Sequence, residues 1–324
     1  MIGVGDIEAA AARLQGVSLR TPLIQNVELN EALGGTVLIK PECLQVTGSF
    51  KIRGAYNRLS QLTTEQASNG VVAWSSGNHA QGVAAAGAML GIRTTIVMPQ
   101  DAPKAKLNNT RRLGGEVITY DRYNGDREAI AREIAAQRGA ALVPSYDHDQ
   151  IIAGQGSIGL EIADDALQMG LAPELILIPC GGGGLSSGCA IALKSRLPGA
   201  DVIAVEPVDF NNTARSFAAG KRLRIDDSAR SICDALQSPM PGELTFPILQ
   251  KLVREVLVVS DAEVRSAMRF AFRSLKLVVE PGGAVALAAL LSGKLDVVGK
   301  TTAIVLSGGN IDVDLFAEIQ EEPD

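Results

Sequence analysis

Histidine is nearly absent from this chain of 324 residues: there are two, His79 and His148, too few for a metal site built on several imidazoles. Cysteine is also sparse. Cys43, Cys180, Cys189 and Cys233 show no CxxC spacing and are too few to staple a chain of this length, so packed, reduced thiols are expected. Positive charge is short as well: 30 lysines and arginines against 36 acids leave a net charge of −6, with no broad attractive field for nucleic acid or anionic lipid. No apolar run approaches the length that spans a bilayer, and the start MIGVGDIEAAAARL lacks a basic stretch followed by an apolar one. A cytoplasmic protein is expected, acting on a small molecule rather than on nucleic acid or membrane. Catalysis must rest on something other than histidine-rich chemistry.

What the chain does have is a core. At 46% hydrophobic it can bury one large or two medium domains. Short apolar, β-branched runs recur: TVLIK at 36, VVAWSS at 71, TTIVMP at 94, EVITYD at 116, ALVPSY at 141, LILIPC at 175, DVIAVEP at 201, EVLVVS at 255 and TTAIVLS at 301. Between most of them lie stretches of helical periodicity such as HAQGVAAAGAMLG and GDREAIAREIAAQRG. This alternation predicts an α/β fold of open parallel sheets with flanking helices. Four strand candidates between 71 and 146 predict a small mobile domain over residues 51–146, with 1–50 and 147–324 forming a larger, cofactor-binding one. No repeat, low-complexity block or flexible linker interrupts the pattern.

Ligands of such sheets sit at the carboxyl ends of strands. Three ends carry unusual sequence: SSGNHAQG after VVAWSS, GGGGLSSG after LILIPC, and SGGN after TTAIVL. Gly181, Gly182, Gly183 and Gly184, followed by a helix of small residues, outline an anion site in which backbone N–H groups and a helix start face one point. A tight turn with close helix packing is the simpler reading. A dinucleotide reading also stands, because Glu206 ends the next strand where a ribose-binding carboxylate would lie, although no G-x-G-x-x-G register fits GGGGLSS without a serine in the last position.

Lys51, in SFKIRGA, taken alone is a solvated side chain at a helix start. Its small and apolar neighbours could instead desolvate the amine, lower its pKa and free its lone pair for attack on a carbonyl. An activated lysine beside a phosphate cradle suits an aldehyde phosphate, pyridoxal phosphate.

SFKIRGA, SSGNHAQG, GGGGL, the EP of VVEPGGA and VLSGGN, in this order, resemble the fold-type II pyridoxal-phosphate enzymes, in the serine/threonine dehydratase and serine racemase branch. The likeness runs from RTPL near residue 20 to SGGN at 307, and it implies the two-sheet fold shared with tryptophan synthase β chains. By this resemblance Lys51 would hold the cofactor as a Schiff base, Phe50 would pack beside its ring, Asn78 would donate to the ring hydroxyl, Gly181 to Gly184 would bind the phosphate and Ser307 would face the ring nitrogen. A neutral hydroxyl there makes the ring a weaker electron sink than a carboxylate would, which favours prompt loss of a β-leaving group. Ser75, Asn78 and His79 lie where the family binds the substrate carboxylate. Arg127 lies in the region of an arginine that closes the small domain; an exposed helix charge is the alternative.

The reaction implied is α,β-elimination from serine, threonine or another 3-hydroxy amino acid, giving a 2-oxo acid and ammonia. Ser76 occupies the position of the second proton carrier of the racemases, so some serine racemisation is expected; a helix-capping hydroxyl is the alternative. The resemblance also implies a magnesium or calcium site made by Glu206, the carbonyl of Phe210 and Asn212, where Asn212 replaces an aspartate and removes one formal charge. Asp234-Ala235 in place of aspartate-glycine, and the unmatched LQSPMP at 236–241, leave the preferred side chain open, with 3-hydroxyaspartate among the options. The chain ends soon after SGGN, so feedback through an added regulatory domain is not expected, while a homodimer is. A nicotinamide-dependent oxidoreductase and a non-catalytic amino-acid-binding homologue are the competing functions.

Overall fold

All nine apolar runs are strands in the computed structural model, which describes residues 2–75, 77–102, 104–121, 125–226 and 228–323. They are β1 (Thr36–Pro41), β2 (Val71–Trp74), β3 (Thr94–Pro99), β4 (Glu116–Tyr120), β5 (Ala141–Leu142), β6 (Leu175–Pro179), β7 (Asp201–Pro207), β8 (Val253–Val259) and β9 (Thr301–Leu306). Five form one sheet in the order β1-β9-β6-β7-β8 and four a second in the order β4-β3-β2-β5. Every pairing within both sheets is parallel. β5 is shorter than the run ALVPSY. Pro144 has no N–H to donate to a ladder, and the chain leaves the sheet there.

The central strands are apolar on both faces because helices cover both faces. On one side of the larger sheet Leu177, Ile203 and Ile304 pack with Val285 and Leu287; on the other, Ile176, Ile178 and Val305 pack with Ile158, Ile162 and Leu193. The smaller sheet repeats this, with Val71, Ile96 and Met98 against Ile52 and Val83, and Val72 and Val97 against Ala131 and Ala135. Each Val, Leu, Ile or Met among them contributes roughly 1.5–3 kcal/mol when fully buried.

The helix Lys51–Leu59 lies between the helices Asn78–Leu90 and Asp149–Gln168. A Cβ on Gly154 would sit 2.6 Å from the main-chain oxygen of Arg53, so only glycine lets the first and last of these approach so closely. Arg53 is fully buried, and its guanidinium donates to Glu42, Glu161, Ser157 and the Leu19 carbonyl. That network anchors the first turn of the helix that begins with Lys51.

The turn before Lys51 is strained. Thr47 has φ 67, a left-handed conformation that costs a non-glycine residue about 1 kcal/mol or more. Asn310 Nδ2 holds it by donating to the Thr47 carbonyl at 2.8 Å, and Gly309 N donates to the Gly48 carbonyl at 2.9 Å. Residues 47–50 are thereby sewn to 307–310, just past the end of β9.

Candidate active site

A cavity of about 840 Å³ lies between the sheets at their carboxyl ends, lined by Ser75, Gly77 and Asn78 after β2, Pro179 at the end of β6 with Gly181 to Gly184 after it, and Ser307 after β9. Lys51 faces the same space. Its Nζ donates to the Ser145 carbonyl at 2.8 Å and lies 5.0 Å from the centroid of the Phe50 ring. Burial lowers the amine to about 8, against the pull of the Glu280 carboxylate, which favours the charged form. An appreciable share of the amine is therefore uncharged near neutral pH.

The glycine run is a built cradle. Gly183 has φ +94, and a Cβ there would meet Thr245 Oγ1 at 2.8 Å; on Gly182 it would lie 2.4 Å from the Tyr146 ring. Thr245 Oγ1 donates to the Gly182 carbonyl at 2.7 Å and Gly242 N does so at 3.2 Å, which fixes the loop's orientation. The helix Gly184–Arg196 starts at this point, and the N–H groups of its first turn have no acceptor within the helix. An anion is the natural partner.

Asn78 opens the helix Asn78–Leu90 and is buried. Its Nδ2 donates in a short bond to Glu280 Oε1, and its Oδ1 accepts from Asn310 Nδ2 at 2.8 Å, so the amide is oriented from both ends. One N–H of Nδ2 is left for a ligand. Ser75 Oγ accepts from Gly77 N at 3.2 Å. His79 is arranged differently from a cationic carboxylate ligand: its Nε2 lies 2.9 Å from the Val143 carbonyl and must carry the hydrogen, while Nδ1 has no partner. Burial and the nearby Lys51 push the ring down to about 3. A neutral ring brings no charge to a substrate carboxylate; what His79 has to offer is its main-chain N–H in the first helical turn. Arg127, the first residue of the helix Arg127–Arg138, lines the cavity and is half-buried. Ser307 is buried at the end of β9, where Phe50 N donates to its carbonyl at 3.2 Å. Ser76 lies outside the described residues.

Glu280, part of the VVEPGGA motif, is a residue to which the sequence assigns no role. It is almost fully buried beside Lys51, Lys106 and Asp234; burial raises its carboxyl above the usual range, while Lys106 pulls it back. Pro281 at the first position of the helix Pro281–Leu291 is the usable signal, since it marks Glu280 as the residue at a helix start. Lys106, on the helix Lys104–Arg112, forms a close ion pair with Asp234 across the cleft. No pattern along the chain pairs those two.

The donor set fits pyridoxal phosphate: one buried amine, a tight backbone cradle, and Ser307, a hydroxyl residue lining the same cavity. It does not fit a cation. Both Glu206 oxygens accept from the start of the helix Asn212–Ala219, from Thr213 N and Ala214 N at 3.0 Å each, and Asn212 Nδ2 donates to the Ser238 carbonyl. Phe210 is buried beside them, and no cluster of three acidic, histidine or cysteine ligands exists among the described residues. Burial raises the Glu206 carboxyl to about 7. Glu206 does not line the cavity that the glycine run lines, which also removes the ribose-binding role of the nicotinamide reading. No described helix is long and apolar enough to cross a membrane.

Comparison with known proteins agrees with this geometry. The family described as pyridoxal-phosphate dependent enzyme matches residues 14–308. An L-threo-3-hydroxyaspartate ammonia-lyase from Pseudomonas sp is 44% identical over 97% of this chain and 97% of its own. Among solved structures, a threonine deaminase from T.th. superposes with a TM-score of 0.90 at 41% identity, covering 96% of this chain and 99% of that one. A maize serine racemase does so at 0.92 and 36% identity, covering 98% and 96%.

Proposed function

This chain belongs to the pyridoxal-phosphate dependent enzyme family, and on that footing we propose that it removes ammonia from a 3-hydroxy amino acid by α,β-elimination, leaving a 2-oxo acid. The observation that carries the reading is the buried, partly uncharged amine of Lys51 sharing one cavity with the cradle Gly181 to Gly184. When bound, pyridoxal phosphate supplies an electron-withdrawing ring that acidifies the α-hydrogen of an amino acid joined to its aldehyde.

The chain's own residues divide the remaining work. Gly181 to Gly184 and the start of the helix that follows hold the phosphate with N–H groups. Phe50 forms a wall beside the Lys51 amine. The first turn at Asn78 and His79, with Ser75, orients the substrate carboxylate through neutral donors and the helix dipole. Lys51 Nζ, near 8, accepts the α-proton as general base. Ser307 offers only a neutral hydroxyl, which keeps electron withdrawal modest and favours loss of the β-hydroxyl. The hydroxyl takes up a proton and leaves as water; one water is consumed again when the released enamine hydrolyses, so serine gives pyruvate plus ammonia.

Likeness to the maize serine racemase supports a second outcome, return of the proton to the opposite face, with Ser76 as its carrier. An assay of ammonia and 2-oxo acid across L-serine, D-serine, L-threonine and L-threo-3-hydroxyaspartate, with chiral analysis of recovered serine, tests both. Release of no oxo acid from any of them would refute the elimination.

A further inference from the structure

Asn212 stands where the resemblance puts an acidic cation ligand, and its amide is committed elsewhere. Nδ2 donates to the main-chain oxygen of Ser238 at 2.6 Å. An atom that close to a carbonyl oxygen must carry hydrogen, so the amide cannot be turned to present its oxygen there. Oδ1 accepts from the Thr213 hydroxyl at 3.4 Å. Both Asn212 and Glu206 are fully buried. Each Glu206 oxygen accepts one bond from protein, capping the start of the helix Asn212–Ala219 through Thr213 N and Ala214 N.

Ser238 belongs to the segment 234–243 that walls the cavity. That wall rests on the glycine cradle. A Cβ on Gly181 would lie 3.2 Å from Leu236 Cα and 3.3 Å from Ser238 Oγ, and Gly242 N donates to the Gly182 carbonyl. A cation shared by acidic and carbonyl oxygens would pin such a wall with charge. Here a neutral amide-to-carbonyl bond does so. We propose that Asn212 is a positioning residue that holds the 234–243 wall against the glycine cradle, so that this chain retains its fold and its pyridoxal phosphate without Mg2+ or Ca2+.

The inference rests on the cradle being the phosphate site, and the test separates the two. Melting temperature of the holoenzyme and its dissociation constant for pyridoxal phosphate are measured in EDTA and in saturating Mg2+ or Ca2+. Wild type is expected to show the same values in all three. In Asn212→Asp the new carboxylate faces the Ser238 carbonyl with no hydrogen between them, so in EDTA cofactor binding weakens about tenfold, which corresponds to about 1.4 kcal/mol, and Ca2+ restores it. Asn212→Ala weakens binding similarly and no cation rescues it. Saturable stabilisation of wild type by either cation overturns the inference, as does wild-type cofactor affinity in Asn212→Ala. Should Asn212→Asp fail to fold in EDTA, the wild-type titration and Asn212→Ala still decide. Wild type that binds no pyridoxal phosphate at all would refute the proposed function instead, while the cation's effect on melting still judges the inference.

Discussion

Lys51 Nζ lies 2.8 Å from the main-chain oxygen of Ser145, a partner 94 residues further along the chain. A carbonyl accepts a hydrogen bond from either the neutral or the charged amine and supplies no full negative charge. Lys51 is thereby held in place without being locked as an ammonium ion, which suits a group that must lose and regain a proton.

Replacing Lys51 with alanine removes the group placed to bond the cofactor aldehyde and to accept the α-proton. Borohydride reduction of wild type with pyridoxal phosphate is expected to leave a stable mass adduct on the peptide containing Lys51, absent in Lys51→Ala. Elimination should fall by about 10²–10⁴, the usual contribution of a positioned base. An adduct mapped to another lysine would contradict the site.

The pH dependence follows from the lowered amine. Covalent attachment of pyridoxal phosphate to apoprotein needs the uncharged form, so its rate should rise with pH, pass half-maximum near 8 and then level off. In the unfolded chain the same amine titrates near 10.5, so between about 8 and 10.5 the unfolded state binds more protons than the folded one. This group's contribution to apoprotein stability therefore rises with pH across that window. Urea unfolding at several pH values, compared with Lys51→Met, isolates it.

Glu280→Gln keeps the acceptor for Asn78 and removes a buried negative charge between Lys51 and Lys106. Because removing one partner of a buried charge set leaves the others uncompensated, stability should fall, by up to about 3–5 kcal/mol. As the Lys51 amine loses the carboxylate that favours its protonated form, the half-maximum for cofactor attachment should move below about 8. A lower melting temperature with an unshifted half-maximum would mean that Glu280 is purely structural.

Gly183→Ala puts a side chain at φ +94, within 2.8 Å of Thr245 Oγ1. The strain, of order 1–3 kcal/mol, falls on the cradle. Pyridoxal phosphate affinity should drop at least about tenfold, as read by equilibrium dialysis. Affinity equal to wild type would show that the loop does not hold the phosphate.

Much of this was legible along the chain. The strands announced themselves because a strand covered on both faces must be apolar at nearly every position, as β6 is. Lys51 and the glycine run were legible because a desolvated amine and a left-handed, side-chain-free loop each demand particular residues locally. Glu280 was not, since its bond to Asn78 spans 202 positions and nothing in VVEPGGA specifies that contact. The pairing of Lys106 with Asp234, 128 positions apart, was hidden for the same reason.

By itself the order of amino acids determined the strands, their alternation with helices and the chemistry offered at three strand ends, because those depend on neighbours along the backbone. Only the tertiary structure decided that Asn212 bonds a carbonyl, that His79 stays neutral and that Lys51 is partly released from its proton. Burial and distance set those properties, and both arise from packing between segments remote in the chain.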